Sequence, residues 1–413
     1  MLIKVSWLQR CRKPEHPEET HANTGRTHRQ SLKIRIVSRS EVCELKLQKD
    51  VKMPLRKVRI LVILLVAIVL LIVMHHNLFN LHDLLRKEDS EPRYGGLQRF
   101  TGERIGEEIP VLIPAVEERL GGVIAAVNSI FRNTRSNVVF YIVTTNDTID
   151  HLRAWLQKEE LMGIKYKILG FDPHILKGKV QVEGDSTEVK PLTFVRFYLP
   201  MLISGTEKAI YLDDDVIVQG DIRELYDTEL KAGHAAAFSE DCDSVSSKVL
   251  VRGAGRQNTY LGFLDYKKET IRKLGLKAST CSFNPGVFVA NLTEWKQQNI
   301  TEQLEKWMEI NVVENLYGGA LAGSITTPPM LLVFYKQYSS IDPMWHVRYL
   351  GSNAGTRYSS HFIKAAKLLH WNGRFKPWGR TASFSEIWDK WYIPDPTGKF
   401  HPVRRHAEEE DAH

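Results

Sequence analysis

The sequence predicts an α/β fold, one Rossmann-like mixed sheet flanked by helices, and three observations carry that prediction. Apolar strands alternate with amphipathic helices from residue 108 to 171. A strand-like run, Lys208 to Leu212, ends in three consecutive aspartates. A further apolar run follows Asn284-Pro285-Gly286. Strand–helix–strand alternation of this kind builds mainly parallel sheets covered on both faces. With 413 residues, 43% of them hydrophobic, the chain can bury a large core.

The sheet is preceded by a different kind of sequence. Residues 1–59 hold 15 Lys and Arg against 6 Asp and Glu, whereas the remainder holds 41 against 43. The formal charge of +7 is therefore a basic, disordered tail on a nearly neutral body. No arginine-rich face with interleaved aromatics is present, which argues against nucleic-acid binding. Ile60 to Met74 is an unbroken apolar run, roughly 22 Å long as a helix, and a softer zone extends it through Leu81. Lys52, Arg56, Lys57 and Arg59 precede it, and no small-residue cleavage site follows. Residues 60–81 therefore read as a signal anchor with its amino end cytoplasmic. Residues 82–107 then read as a lumenal stem, 108–395 as a single folded domain, and 396–413 as a polar tail.

Within the domain, Glu108 to Ala115 begins the first strand, and Gly121-Gly122 opens a helix with Ile124, Val127 and Ile130 on one side. That turn is where such sheets take nucleotides, although taken alone the glycines read better as a simple tight turn, and no GxGxxG fingerprint is present. Asn137 to Thr144 is a second strand, His151 to Leu161 a helix, and Ile164 to Phe171 a third strand. Lys190 to Pro200 is a short helix whose Arg196 can reach the acids, a diphosphate or a surface partner. Cys281 to Gly286 is a tight loop into an apolar strand, followed by a helix from Thr293 to Ile310.

The chemistry concentrates at Asp213-Asp214-Asp215. In an extended chain residues two apart point the same way, so Asp213 and Asp215 can grip one hard cation while Asp214 faces elsewhere. Two carboxylates with phosphate oxygens and water suit octahedral Mg²⁺ or Mn²⁺. A calcium loop of the EF-hand type is excluded, because Ile217 occupies a ligand position and lacks a following glycine. His370 can add a nitrogen to the same ion, with Gly373 and Lys376 closing over phosphate. Cys242 and Cys281 fall after the anchor, where an oxidising lumen permits a bridge or leaves two thiols. Asn146, Asn291 and Asn299 head acceptor sequons for glycosylation.

These segments in this order, the DxD triplet, Asn284-Pro285-Gly286 and His370-Trp371-Asn372-Gly373-Arg374-Phe375-Lys376-Pro377-Trp378, resemble glycosyltransferase family 8 over about residues 108–395. The resemblance implies a GT-A fold and a retaining hexosyl transfer from a UDP-sugar to a glycan or glycoprotein. It implies Mn²⁺ (or Mg²⁺) held by Asp213, Asp215 and His370, in a single-pass type II protein of the Golgi membrane. Ala115, Val116 and Glu117 would then line the uridine, Arg119 would stack on uracil, and Arg196 and Asp214 would brace the donor. Asn284, Gly286, Glu240 and Asp241 would face the sugar, and Gly373 and Lys376 the β-phosphate. No catalytic nucleophile is assigned, since Leu321 to Pro329 carries neither carboxylate nor amide. That gap leaves a UDP-sugar- or glycan-binding protein with weak or no transfer as the alternative, and a nucleotide-sugar hydrolase would share the metal site.

Overall fold

Strand alternation sets the two sides of the molecule. In the strand β1 (Ile105–Pro114), Ile109, Val111 and Ile113 enter one apolar core and Leu112 the other. In β2 (Ser136–Thr144), Val138, Phe140 and Ile142 share the first core, while Val139, Tyr141 and Val143 share the second. Both faces of this sheet are therefore buried, as a parallel sheet between helices requires. The computed structural model describes residues 105–180, 190–242, 259–317, 325–352 and 358–404, with strands Val37–Ser38 and Glu41–Val42.

The chain divides into two units, Met1–Gly95 and Gly96–His413. In the first, Val37–Ser38 pairs antiparallel with Glu41–Val42. The anchor expected at 60–81 and all of the stem but its last three residues lie outside the described residues. Among the described residues no helix is long and apolar enough to cross a membrane.

The second unit adds β3 (Lys165–Gly170), β4 (Lys208–Leu212), β5 (Val216–Val218), β6 (Ala236–Glu240), β7 (Phe283–Asn291), β8 (Ser339–Ser340) and β9 (Leu368–His370). Seven strands form one mixed sheet in the order β8-β6-β7-β4-β1-β2-β3. All neighbours run parallel except β7, which is antiparallel to both β4 and β6. Its reversal brings Asn284, Pro285 and Gly286, at the start of β7, to the edge where β4 and β6 end. Separately, β5 pairs antiparallel with β9.

Helix α1 (Leu120–Asn133) follows β1 and buries Leu120, Val123, Ile124, Val127 and Ile130, an apolar stripe at helical spacing. Its polar residues also work: Ser129 Oγ accepts the Val218 N–H at 3.0 Å, and Asn133 donates to the Val218 carbonyl at 2.8 Å. Both backbone groups of Val218, on the side of β5 away from β9, are thereby satisfied.

Several elements differ from the sequence expectation. The second helix, α2, spans Ile149–Leu156 and gives way to a 3-10 turn at Glu159–Leu161. The helix expected from Thr293 to Ile310 is two, α3 (Leu292–Gln297) and α4 (Ile300–Glu314), broken at Asn299 with φ of 52°. Asparagine accepts this left-handed conformation more readily than most residues. Asn284-Pro285-Gly286 lies inside β7 rather than in a loop before it. Of the sequon asparagines, Asn146 and Asn299 are exposed, and the half-buried Asn291 caps α3 by accepting the Glu294 N–H. Cys242 and Cys281 are joined in a disulfide.

The packed chain also runs past residue 395. Phe400 is buried among Trp155, Trp378 and Tyr392, and the Val403 N–H bonds the Trp378 carbonyl at 2.8 Å. Gly121 exists for this contact, since a Cβ there would enter the Phe400 ring. Phe400→Ala should cost about 3 kcal/mol of unfolding free energy in a denaturant titration, and an unchanged midpoint would contradict this packing.

Candidate active site

Strand β4 delivers the acids. It is held by β1 on one side and β7 on the other, and the Asp213 N–H bonds the Gly286 carbonyl at 2.7 Å as the chain leaves the sheet. Asp213 Oδ1 accepts from Arg196 Nη2 at 2.8 Å and from the Tyr211 hydroxyl at 2.9 Å. Those two bonds leave Oδ2 to face the site. Arg196 is fixed in turn by the carbonyls of Pro285 and Thr193 and by the Tyr211 ring, 4.9 Å below its guanidinium.

His370 arrives through the backbone. The β5–β9 ladder pairs it with Val216, and the Trp371 N–H bonds the Asp215 carbonyl at 2.9 Å. Its Nε2 then lies 3.0 Å from Asp215 Oδ1 and 3.8 Å from Asp213 Oδ2. Ligand atoms of Asp213, Asp215 and His370 all fall within 4.8 Å of one another. Gly286 makes room, because a Cβ there would sit 2.5 Å from both Asp213 Oδ2 and His370 Cε1. Two carboxylates and one imidazole around a space that a methyl group would fill suit an octahedral divalent cation with sites left for phosphate or water.

Cations surround this cluster. Lys376 Nζ pairs with Asp215 Oδ2 and donates to the Trp371 carbonyl at 3.1 Å. Arg119 pairs with Asp214, reaches Asp215 Oδ2 at 3.3 Å, and lies over the Trp378 ring at 5.7 Å. The guanidinium expected to stack on uracil is thus engaged by acids and an indole. The side chains left partly open are Asp213 at 22%, Lys376 at 23% and Arg119 at 29%, which marks the mouth of the site.

Electrostatics follow from this packing. Burial alone would raise the Asp215 carboxyl, but Lys376, His370 and Arg119 together hold it well below the usual carboxylate range. Burial pushes the Asp214 carboxyl up; Arg119 opposes it, Asp215 and Asp213 add to it, and the group lies at about 7. Burial would lower Arg119, yet Asp214, Asp215 and Asp213 raise it, so it stays a cation.

The other expected residues lie at the same sheet edge in varied states. Ala115 uses its N–H on the Val143 carbonyl and its carbonyl on Thr144 Oγ1. Val116 packs against the second core, and Glu117 meets His151 and Lys399. Gly122 faces the Asp214 carbonyl and Trp378, so this turn is filled by protein. Asn284 Oδ1 accepts the Gly286 N–H at 2.8 Å. Glu240 accepts the Tyr338 hydroxyl at 2.7 Å. Asp241, beside the disulfide, pairs with Arg348 at 2.7 Å and accepts Ser282 Oγ at 2.6 Å. Gly373, at φ 118°, faces the backbone of Gly351 and Ser352.

Three contributors escaped the sequence reading. His346 bonds His370 Nδ1, Arg348 anchors Asp241, and Tyr211 orients Asp213. Only Tyr211 had a signal, its i−2 position on the same strand face as Asp213.

Comparison with known proteins gives the family and the fold. The profile described as Glycosyl transferase family 8 matches residues 110–382. The chain belongs to glycosyltransferase family 8. It is 63% identical over 366 residues to Glycosyltransferase 8 domain-containing protein 1 of Homo sapiens, covering 86% of this chain and 99% of that one. The protein of that name from Danio rerio is 62% identical over 367 residues, covering 86% and 100%. Glycosyltransferase 8 domain-containing protein 2 of Bos taurus is 56% identical over 301 residues, covering 73% and 86%. Among solved structures, the apo form of the bifunctional enzyme WbbM aligns with a TM-score of 0.51 at 16% identity, covering 78% of this chain and 57% of that one. An active-site mutant of LgtC aligns with a TM-score of 0.50 at 17% identity, covering 71% and 100%. These likenesses show the GT-A fold, and this family 8 member is a glycosyltransferase.

Two outcomes test the site. Gly286→Ala should leave the melting temperature within a few degrees of wild type while weakening divalent-cation binding at least tenfold; undiminished binding would contradict the cradle. Because the folded Asp215 carboxyl lies below its unfolded value near 3.8, its stabilisation is present above that pH and is lost as pH falls through the folded value. In metal-free buffer, the stability deficit of Asp215→Asn should therefore be full at pH 6 and shrink below about pH 3.8. A deficit independent of pH would contradict the assignment.

Proposed function

We propose that this glycosyltransferase is a retaining, metal-dependent enzyme that moves a hexosyl group from a UDP-sugar to a hydroxyl of a glycan or glycoprotein in the Golgi lumen. The observation that carries it is the convergence of Asp213, Asp215 and His370 within 4.8 Å, ringed by three cations. Mn²⁺, or Mg²⁺, bound there would neutralise the donor's diphosphate and stabilise the charge that grows on departing UDP.

The chain's own groups do the rest. Lys376, a flexible point charge at the mouth, exchanges Asp215 for the β-phosphate as negative charge develops on it. Arg196, locked to Asp213 and the Pro285 carbonyl, holds that carboxylate in one rotamer and braces the donor. Asn284 and the Glu240–Asp241 pair, at the end of β6, hold sugar hydroxyls. In the transfer the anomeric C–O bond to UDP breaks, and a bond to the acceptor oxygen forms on the same face. The acceptor proton passes to the departing phosphate.

Topology belongs to the same proposal. The apolar run at 60–81 with its basic amino flank, the three sequons and the Cys242–Cys281 bridge all suit a type II protein with a lumenal domain. In sealed microsomes, added protease should leave the chain beyond residue 80 intact; its digestion would overturn the orientation.

The decisive assay is a screen of UDP-sugars with Mn²⁺, followed by an array of glycan acceptors. The expected result is metal-dependent release of UDP matched by product of retained anomeric configuration, abolished in Asp213→Asn and Asp215→Asn. Metal-dependent UDP binding without product would favour a sugar-nucleotide-binding protein, and release matched only by free sugar would favour a hydrolase.

A further inference from the structure

The residues that touch the acids do not account for one fully buried pair of rings. His346 Nε2 lies 2.9 Å from His370 Nδ1, and the two imidazoles are within 15° of parallel with centroids 5.1 Å apart. That separation is too long for face-to-face stacking and matches two rings joined tip to tip through one shared hydrogen. Both side chains are buried, His346 at 0% and His370 at 1%.

Backbone bonds hold the pair in place. The Val347 N–H bonds the Leu368 carbonyl at 3.0 Å, and the His370 N–H bonds the Val347 carbonyl at 2.8 Å. The chain before His346 is closed by its own N–H on the Pro343 carbonyl, within a turn capped by Asp342. The bridge between Val347 and Leu369 fixes the two backbones side by side, and burial restrains the rings between them.

We propose that His346 is a positioning residue for the divalent cation: by accepting a hydrogen bond from His370 Nδ1–H, it fixes the tautomer of His370 that offers the Nε2 lone pair to the metal. The inference rests on the metal site proposed above. Its logic is a matter of hydrogen count. Nε2 of His370 is the nitrogen that faces Asp213 and Asp215. Ligation through it requires the ring hydrogen on Nδ1, so His346 must accept with Nε2 and carry its own hydrogen on Nδ1. The opposite arrangement, with His346 donating, puts the His370 hydrogen on Nε2, aimed at Asp215 and occupying the ligand position. The two arrangements exclude each other, and a bound cation selects the first. In that state His346 Nδ1–H is buried and has no partner among the described residues. Outer-shell partners that orient ligating histidines commonly set metal affinity by ten- to a hundredfold.

The test uses the full-length protein and Mn²⁺ alone, with free Mn²⁺ followed by electron paramagnetic resonance and folding checked by thermal melting in EDTA. His346→Phe fills the space without an acceptor and should weaken Mn²⁺ binding by about ten- to a hundredfold. His346→Gln, whose amide oxygen can accept, should recover at least half of that loss on a logarithmic scale. Binding by His346→Phe within twofold of wild type overturns the inference alone, whereas no binding by wild type overturns the metal site with it. Should the Phe variant fail to fold, nitrogen-15 histidine spectra of the wild type loaded with Mg²⁺ give the answer directly. His346 Nε2 is expected as an unprotonated ring nitrogen, coupled across the hydrogen bond to His370 Nδ1–H. A hydrogen found on His346 Nε2 in the loaded protein overturns the assignment.

Discussion

Three consecutive aspartates at the end of a buried strand would repel one another and unravel that edge if nothing opposed them. Each has its own cation: Arg196 on Asp213, Arg119 on Asp214, and Lys376 on Asp215. Removing one partner from a buried pair of this kind strands a charge, at a cost of about 3 to 5 kcal/mol. The cations come from the start of α1, from the segment before β4 and from the loop after β9. A single local charge balance therefore ties together parts of the chain up to 257 positions apart, counting from Arg119 to Lys376. It also leaves the three aspartates and three cations formally balanced, which suits the entry of the proposed dication and nucleotide diphosphate as an opposed pair.

The backbone sets up this balance before any side chain is chosen. The antiparallel strand β7 brings Gly286 against Asp213, and the β5–β9 ladder brings His370 against Asp215 across 155 residues. Ser129 and Asn133 of α1 bond both backbone groups of Val218 at the end of β5. The histidine is thus placed by main-chain register, and its neighbour His346 by a second, shorter bridge. Glycine matters at several close approaches, among them Gly286 beneath the ligands and Gly121 beneath Phe400.

Much of this was legible in the sequence, and the reasons are physical. Continuous apolar runs of strand length gave β1, β2 and β4, and the i, i+2 rule put Asp213 and Asp215 on one side of the chain. The convergence of His370 with them came from motif order, and the structure brings the three together. What sequence periodicity does not carry is the identity of long-range partners. Trp378 and Phe400 pack on the glycines that looked free for a nucleotide, and Arg119 is taken up by Asp214. His346 and Arg348 sit in an irregular stretch with no period to read. The break at Asn299 hides inside a helical pattern, because one left-handed asparagine interrupts a helix without altering its apolar spacing.

Crystals of the unit from Gly96 to His413 grown with Mn²⁺ and UDP, measured at the manganese absorption edge, test the central claim most directly. The account predicts one anomalous peak bounded by carboxylate oxygens of Asp213 and Asp215 and by Nε2 of His370, with diphosphate oxygens completing the shell. A peak elsewhere, or bound UDP with no peak among these three side chains, would contradict it.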